Sequence, residues 1–148
     1  MRANLRAAVK ALAGIPGVTV QAVSSHYLTP PWGVTDQPDF VNAAVRLSVA
    51  AGRAAPAPAA LLAALKGIER GMGRQRRGRW GPREIDLDIL LFGDRAVDEP
   101  GLTIPHPRLM QRSFVLIPLA EIAPGLAMLR DPALAPLLAD PAVRRLPP

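Results

Sequence analysis

A chain of 148 residues, 49% of them apolar and 20% charged, is long enough to bury one substantial core without staples, so a single domain over residues 1–148 is expected. With no cysteine, a disulfide framework and a thiolate metal site are excluded, and no run of about 18 apolar residues offers a membrane-spanning helix. The formal charge of +6 is carried by 16 Arg and 2 Lys, and six of those Arg lie between Arg70 and Arg83, a concentration of positive potential that suits a polyanionic partner such as nucleic acid or nucleotide phosphates.

The opening "MRANLRAAVKALAG" is basic but has no continuous apolar core of a leader, so a soluble, unexported, cytoplasmic protein is expected. Within it, Leu5, Ala8, Val9 and Leu12 share one helical face, and Gly14 and Pro16 are stop signals, which predicts a helix over 4–13. "VTVQAVSSHYLT" (18–29) and "FVNAAVRLSVA" (40–50) are β-branched and roughly alternating, and each reads as a strand. The Pro- and Gly-broken "PPWGVTDQPD" between them is longer than a tight turn and reads as a functional loop. From Pro58, Leu61, Leu62, Leu65, Ile68 and Glu69 fall at helical spacing, with Gly71 and Gly73 as the expected end. The Arg-rich loop follows, then a strand over "EIDLDILLFG" (84–93), a second loop to about residue 113, and short, Pro-punctuated helices.

Helix, strand, strand, helix, strand is an α+β order. It matches a ferredoxin-like split βαβ unit if one strand precedes the first helix, and none does. The expected fold is therefore an antiparallel, ferredoxin-like sheet with helices packed on it, lacking its first strand.

In the run 84–93, Ile85, Leu87 and Ile89 point to one side of a strand while Asp86 and Asp88 point to the other. Two carboxylates about 6.5–7 Å apart repel by only about 0.6 kcal/mol in water, or about 2.5 kcal/mol at an effective dielectric of 20, so a merely solvated face is compatible with the pattern. The neighbouring loop favours a different use. Paired hard oxygen ligands suit Mg²⁺, and guanidinium forks match phosphate oxygens. Together they supply both halves of a polyphosphate site. His106, Arg108 and Arg112 in "IPHPRLMQRSFVL" extend the same donor set.

"RWGPREIDLDILLFG" resembles the signature of the 6-hydroxymethyl-7,8-dihydropterin pyrophosphokinases of folate synthesis. "SSHYLTPPWGVTDQPDFVNAAV", "IERGMGRQRRGRWGPR" and "IPHPRLMQRSFVLIPLAEIAP" are similar to that family's other blocks, in the right order. The resemblance implies transfer of diphosphate from ATP to the pterin hydroxymethyl group with release of AMP and two Mg²⁺ ions. It implies metal binding by Asp86 and Asp88, with Arg74 and Arg83 joining them in catalysis. Thr29, Pro30 and Trp32 are implied to line the pterin pocket, Asn42 to bond the pterin edge, and Phe40 and Phe114 to sandwich the ring. Glu69, Arg74, Arg76, Arg77, Trp80, Arg83, Ile89, His106 and Arg112 are implied to serve ATP. The family begins with a strand and a Gly-Ser-Asn-type loop ahead of the first helix, whereas this chain starts inside that helix, so an upstream extension is expected. A monomer acting on small molecules follows from the same likeness.

Two other readings compete. A basic ferredoxin-like domain invites comparison with RNA-binding modules, but those stack bases on clustered aromatics. Only three Phe, two Trp and one Tyr are present, and the acidic strand face repels a phosphate backbone. A truncated pseudoenzyme that keeps ATP but not pterin is the other.

Overall fold

The computed structural model describes residues 2–30, 40–50, 57–75 and 85–148, with backbone alone at 74 and 75. They form four α-helices and short, largely antiparallel ladders, the α+β class expected. Among them no helix is long and apolar enough to cross a membrane. The chain divides into two compact units, one of Arg2, Gln21–Arg46 and Arg108–Pro148, the other of Ala3–Val20 and Leu47–Pro107.

In the second unit, α1 (Arg2–Ala13) enters from Arg2 and buries Ala8 and Leu12. It stops where Gly14 and Ile15 donate back to Ala11 and Leu12, and Gly17 then takes φ 77, a conformation that favours glycine. Helix α2 (Pro58–Gln75) starts with proline, whose missing N–H has no intrahelical partner to lose at that position, and buries Leu61 and Leu65. Gly71 and Gly73 do not end it. A helical glycine costs only about 1 kcal/mol relative to alanine, too little to stop a helix already propagating from an anchored face.

A second difference lies in the run 84–93, whose described residues from 85 onward carry no assigned strand. Leu87 N–H, which a ladder would direct to a neighbouring carbonyl, donates instead to the side chain of Glu69 on α2, and Leu90 O accepts from His106 N at 2.9 Å. The alternation survives without the ladder. Ile85 and Ile89 are buried, while Asp86 and Asp88 are exposed. Beyond the Gly93 turn, the expected loop contains a hairpin of β5 (Val97–Glu99) and β6 (Leu102–Ile104), closed at Pro100–Gly101 with Gly101 at φ 80. The Ile104–Pro105 peptide is cis.

The two predicted strands are each broken once. β1 (Val18–Val23) pairs with β4 (Val45–Val49), and β2 (Tyr27–Thr29) pairs antiparallel with β3 (Phe40–Asn42). The breaks face each other. Ser24 N donates to Ala44 O at 2.9 Å, and Ala44 N donates to Ser24 Oγ at 2.8 Å. A side-chain oxygen thus stands in for a ladder carbonyl, the competition with backbone that serine offers.

In the first unit, α3 (Ser113–Ile122) is largely apolar and buries Ser113, Leu116, Pro118 and Leu119. Short 3₁₀ turns and α4 (Ala135–Leu138) follow, with Asp131 capping Ala133 N at 2.9 Å. An unpredicted strand, β7 (Arg144–Arg145), then adds to β2, placing Arg145 opposite Tyr27 and Arg144 opposite Leu28. Leu146 N donates to His26 O at 2.8 Å, and Arg2 donates to Pro147 O at 2.6 Å.

Candidate active site

In the second unit, Asp88 and Ile89 line a cleft of about 270 Å³ with Leu62, Lys66, Thr103 and His106. The apolar walls come from Leu62 on α2, Ile89, and Leu102 and Pro107 of the hairpin region. The polar groups are a carboxylate, an ammonium, a hydroxyl and an imidazole, a mixture suited to a charged ligand with an apolar part. Glu69, the last of the residues read at helical spacing on α2, sits beside this cleft through its bond to the lining residue Lys66. Its Oε1 accepts Leu87 N at 2.7 Å and receives Lys66 Nζ at 3.2 Å, with the Glu69 side chain only 15% exposed. Leu87 is the residue between Asp86 and Asp88.

In the first unit, the last residue of β2, Thr29, is buried, and its Oγ1 accepts from Asn42 Nδ2 at 3.0 Å. Phe40 lies opposite Thr29 in the ladder and is 40% exposed, a large apolar ring left open to solvent. Pro30, directly after β2, is also exposed. Phe114, at the start of α3, is half-buried, and the Arg112 guanidinium lies 5.6 Å from its ring centroid, a cation–π contact.

Behind Thr29 stands a polar cluster. The carboxylate of Glu121 on α3 accepts Ser25 N at 2.7 Å and Tyr27 OH at 2.5 Å, and Arg145 Nε donates to Ser25 Oγ at 2.8 Å. Burial first, then the bond to Glu121 and its negative charge, pushes the Tyr27 phenol up to about 12. Burial also pushes Glu121 upward, but the bonds from Tyr27 and Ser25 and the charge of Arg145 outweigh it and hold the carboxyl below its ordinary value. At Asp140, the Ser113 hydroxyl bond at 2.6 Å and the Ala142 N–H lower the pKa.

Of the expected site residues, Thr29 and Asn42 touch directly, Phe40 shares their ladder, and Asp88, Ile89 and His106 line one cleft. Trp32, Arg76, Arg77, Trp80 and Arg83 lie outside the described residues, as does the Arg74 side chain. Sequence reasoning passed over Lys66 and Thr103 in the cleft and the Glu121–Tyr27–Arg145 cluster. For Lys66 a signal existed, because it precedes Glu69 by one helical turn. For the cluster none did, since its members are brought together only by the fold.

The family model described as 7,8-dihydro-6-hydroxymethylpterin-pyrophosphokinase (HPPK) matches residues 1–124. The chain belongs to the HPPK family. Its relatives include the 2-amino-4-hydroxy-6-hydroxymethyldihydropteridine pyrophosphokinase of Pseudomonas aeruginosa, 44% identical over 99% of this chain and 89% of the relative. The protein of the same name from Methylorubrum extorquens is 46% identical over 85% of this chain and 77% of its own length. That of Bacillus subtilis is 47% identical over 80% and 68%. As an HPPK the chain uses ATP as co-substrate.

An HPPK that handles ATP needs a cation at the phosphates, and the described residues test what this chain offers it. No group of three His, Asp or Glu that could hold a metal occurs among them. Two exposed carboxylates do, at Asp86 and Asp88, two residues apart. Hard oxygens in that small number fit Mg²⁺, which keeps several waters and completes its shell with substrate phosphate rather than with a protein cage.

Proposed function

We propose that this chain transfers diphosphate from ATP to the hydroxymethyl group of 6-hydroxymethyl-7,8-dihydropterin, releasing AMP, and that residues 1–148 act as a single pyrophosphokinase domain. It is a pyrophosphokinase of folate biosynthesis, as its family and relatives are. The observation that carries the residue-level reading is the exposed Asp86/Asp88 pair on a segment whose alternate side chains are buried.

Asp86 and Asp88 would hold Mg²⁺, two ions in this reading, which when bound neutralises charge on the triphosphate. Phosphoryl transfer leaves a protein little covalent work, so the remaining tasks are orientation and charge stabilisation. Arg74, Arg76, Arg77, Arg83 and Arg112 serve as bidentate donors to phosphate oxygens, with Arg74 and Arg83 stabilising the charge that develops in transfer. His106 donates from the cleft wall, Ile89 and Trp80 pack against the nucleotide, and Glu69 contributes from behind the Asp segment. Thr29 and Asn42, already bonded to each other, present a fixed polar edge to the pterin. Phe40 and Phe114 flank its ring, and Pro30 and Trp32 close the pocket. A general base is not required of any named residue, because the hydroxyl proton can pass to solvent once the oxygen is aligned with the β-phosphorus.

This reading makes the protein a cytoplasmic monomer that acts on small molecules and not on nucleic acid. The two exposed aspartates support that exclusion, since they oppose a phosphate backbone lacking bound metal.

Incubation with ATP, Mg²⁺ and the hydroxymethyl pterin tests the proposal. Pterin-dependent AMP is expected, and ADP as the only nucleotide product would overturn it.

A further inference from the structure

The geometry points to Glu69 as a positioning residue that sets the Asp86/Asp88 pair through the backbone between them. This rests on the reading of that pair as the Mg²⁺–phosphate site. Segment 85–90 carries no assigned strand, so a ladder does not fix the peptide at Leu87. Among the described residues its N–H is held by a carboxylate oxygen at 2.7 Å, on a side chain only 15% exposed and itself steadied by Lys66 one turn earlier on α2. A bond from N–H to an ionised acceptor is short and about twice as strong as one between neutral groups. Leu87 N–H therefore has a strong, directional anchor at the centre of the motif, and rotation of that peptide would turn the flanking carboxylates away from a common ligand. Glu69 Oε1 accepts both Leu87 N and Lys66 Nζ, and Oε2 accepts Lys66 Nζ at 3.4 Å, so both oxygens are engaged and the proposed route to the nucleotide is through the carboxylates.

Mn²⁺ stands in for Mg²⁺ in the test, with retention measured from the free-ion electron paramagnetic resonance signal in the presence of a non-hydrolysable ATP analogue. Loss of partners that orient metal ligands typically costs about 10–100-fold in affinity. Glu69→Ala should weaken Mn²⁺ retention by about tenfold or more, while metal-free binding of the analogue stays near that of the parent. Glu69→Gln, which keeps an acceptor oxygen at the same reach, should recover most of the affinity. Should Glu69→Ala fail to fold, Glu69→Asp carries the test, its oxygen withdrawn by one methylene and its charge retained, and weaker Mn²⁺ retention is again expected.

Unchanged Mn²⁺ retention in a folded Glu69→Ala or Glu69→Asp protein would overturn the positioning role, as would an equal loss of metal-free analogue binding, which marks a direct nucleotide contact. Glu69→Gln as weak as Glu69→Ala would overturn it too. Asp88→Ala is measured alongside. Undiminished retention there overturns the metal-site reading itself and this inference with it, whereas loss in Asp88→Ala with none in Glu69→Ala overturns the positioning role alone.

Discussion

Two helices each send a glutamate to a backbone N–H, and the two contacts serve different ends. Glu69 on α2 accepts Leu87 N and Glu121 on α3 accepts Ser25 N, both at 2.7 Å. Around Glu121 the chain is otherwise well tied, because β2 pairs with both β3 and β7, and Arg145 and Tyr27 share the same carboxylate. Around Glu69 the receiving segment has no assigned strand, and the glutamate does the work a neighbouring strand would do. A redundant contact contributes mainly to stability. A contact at the peptide between two exposed aspartates is expected to contribute mainly to chemistry, and the variants below separate the two.

The largest effect is expected at the aspartates. Asp86→Ala or Asp88→Ala should reduce AMP production by about a thousandfold or more, since a lost metal removes several kcal/mol of charge stabilisation. Because both side chains are exposed, circular dichroism should not change. Near-normal AMP production in either variant would remove the metal site from the account. Next, Arg112→Ala should slow turnover by roughly ten- to a hundredfold, the worth of a charge-assisted phosphate bond. Arg6→Ala, at an exposed position of α1, is the control and should leave turnover unchanged. Equal, small effects at both would indicate a diffuse field.

On the stability side, Tyr27→Phe deletes the hydroxyl bonded to Glu121 and should cost about 1.5–3 kcal/mol, or roughly 3–10 °C in melting temperature. A melt within 1 °C or so of the parent would make that bond unimportant.

A pH dependence accompanies the Tyr27 bond. Tyr27 is the only tyrosine, so phenolate absorbance reports it alone. Its folded pKa, raised from 10.0 to about 12, makes its contribution complete below pH 10. That contribution is lost as pH rises towards 12, because the unfolded chain releases the proton first. The absorbance midpoint should fall to about 10 on unfolding, and Tyr27→Phe should flatten this alkaline limb. At the acid end the sign is opposite. Glu121 and Asp140 have lowered values, so their support is present at neutral pH and lost on acidification. Ser113→Ala, which removes one bond to Asp140, should give the smallest change in melting temperature, with a shallower acid limb in the melting profile.

Periodicity made both long helices and the two β-branched runs legible, and the alternation in 85–89 revealed which face the aspartates occupy before any fold was in view. What periodicity does not encode is long-range substitution of one hydrogen-bond partner for another. Ser24 bonding Ala44 splits two continuous-looking strands, and Glu69 bonding Leu87 replaces a ladder. Both depend on residues 18 or more positions apart. β7 escaped for a related reason: two exposed arginines have no strand pattern, and their pairing comes from the open edge of β2. The family blocks singled out Thr29, Asn42 and Asp86/Asp88 because they are short and contiguous. Lys66 and Thr103 reach the cleft only through tertiary packing.

AMP alone could also arise by stepwise loss of two phosphates, so the most direct test of diphosphate transfer follows the phosphorus itself. ATP labelled at the β position, incubated with Mg²⁺ and the pterin, should pass its label to the pterin product in equal amount to the AMP formed, leaving the AMP unlabelled. Label recovered in ADP or free phosphate, with none on the pterin, would contradict the account.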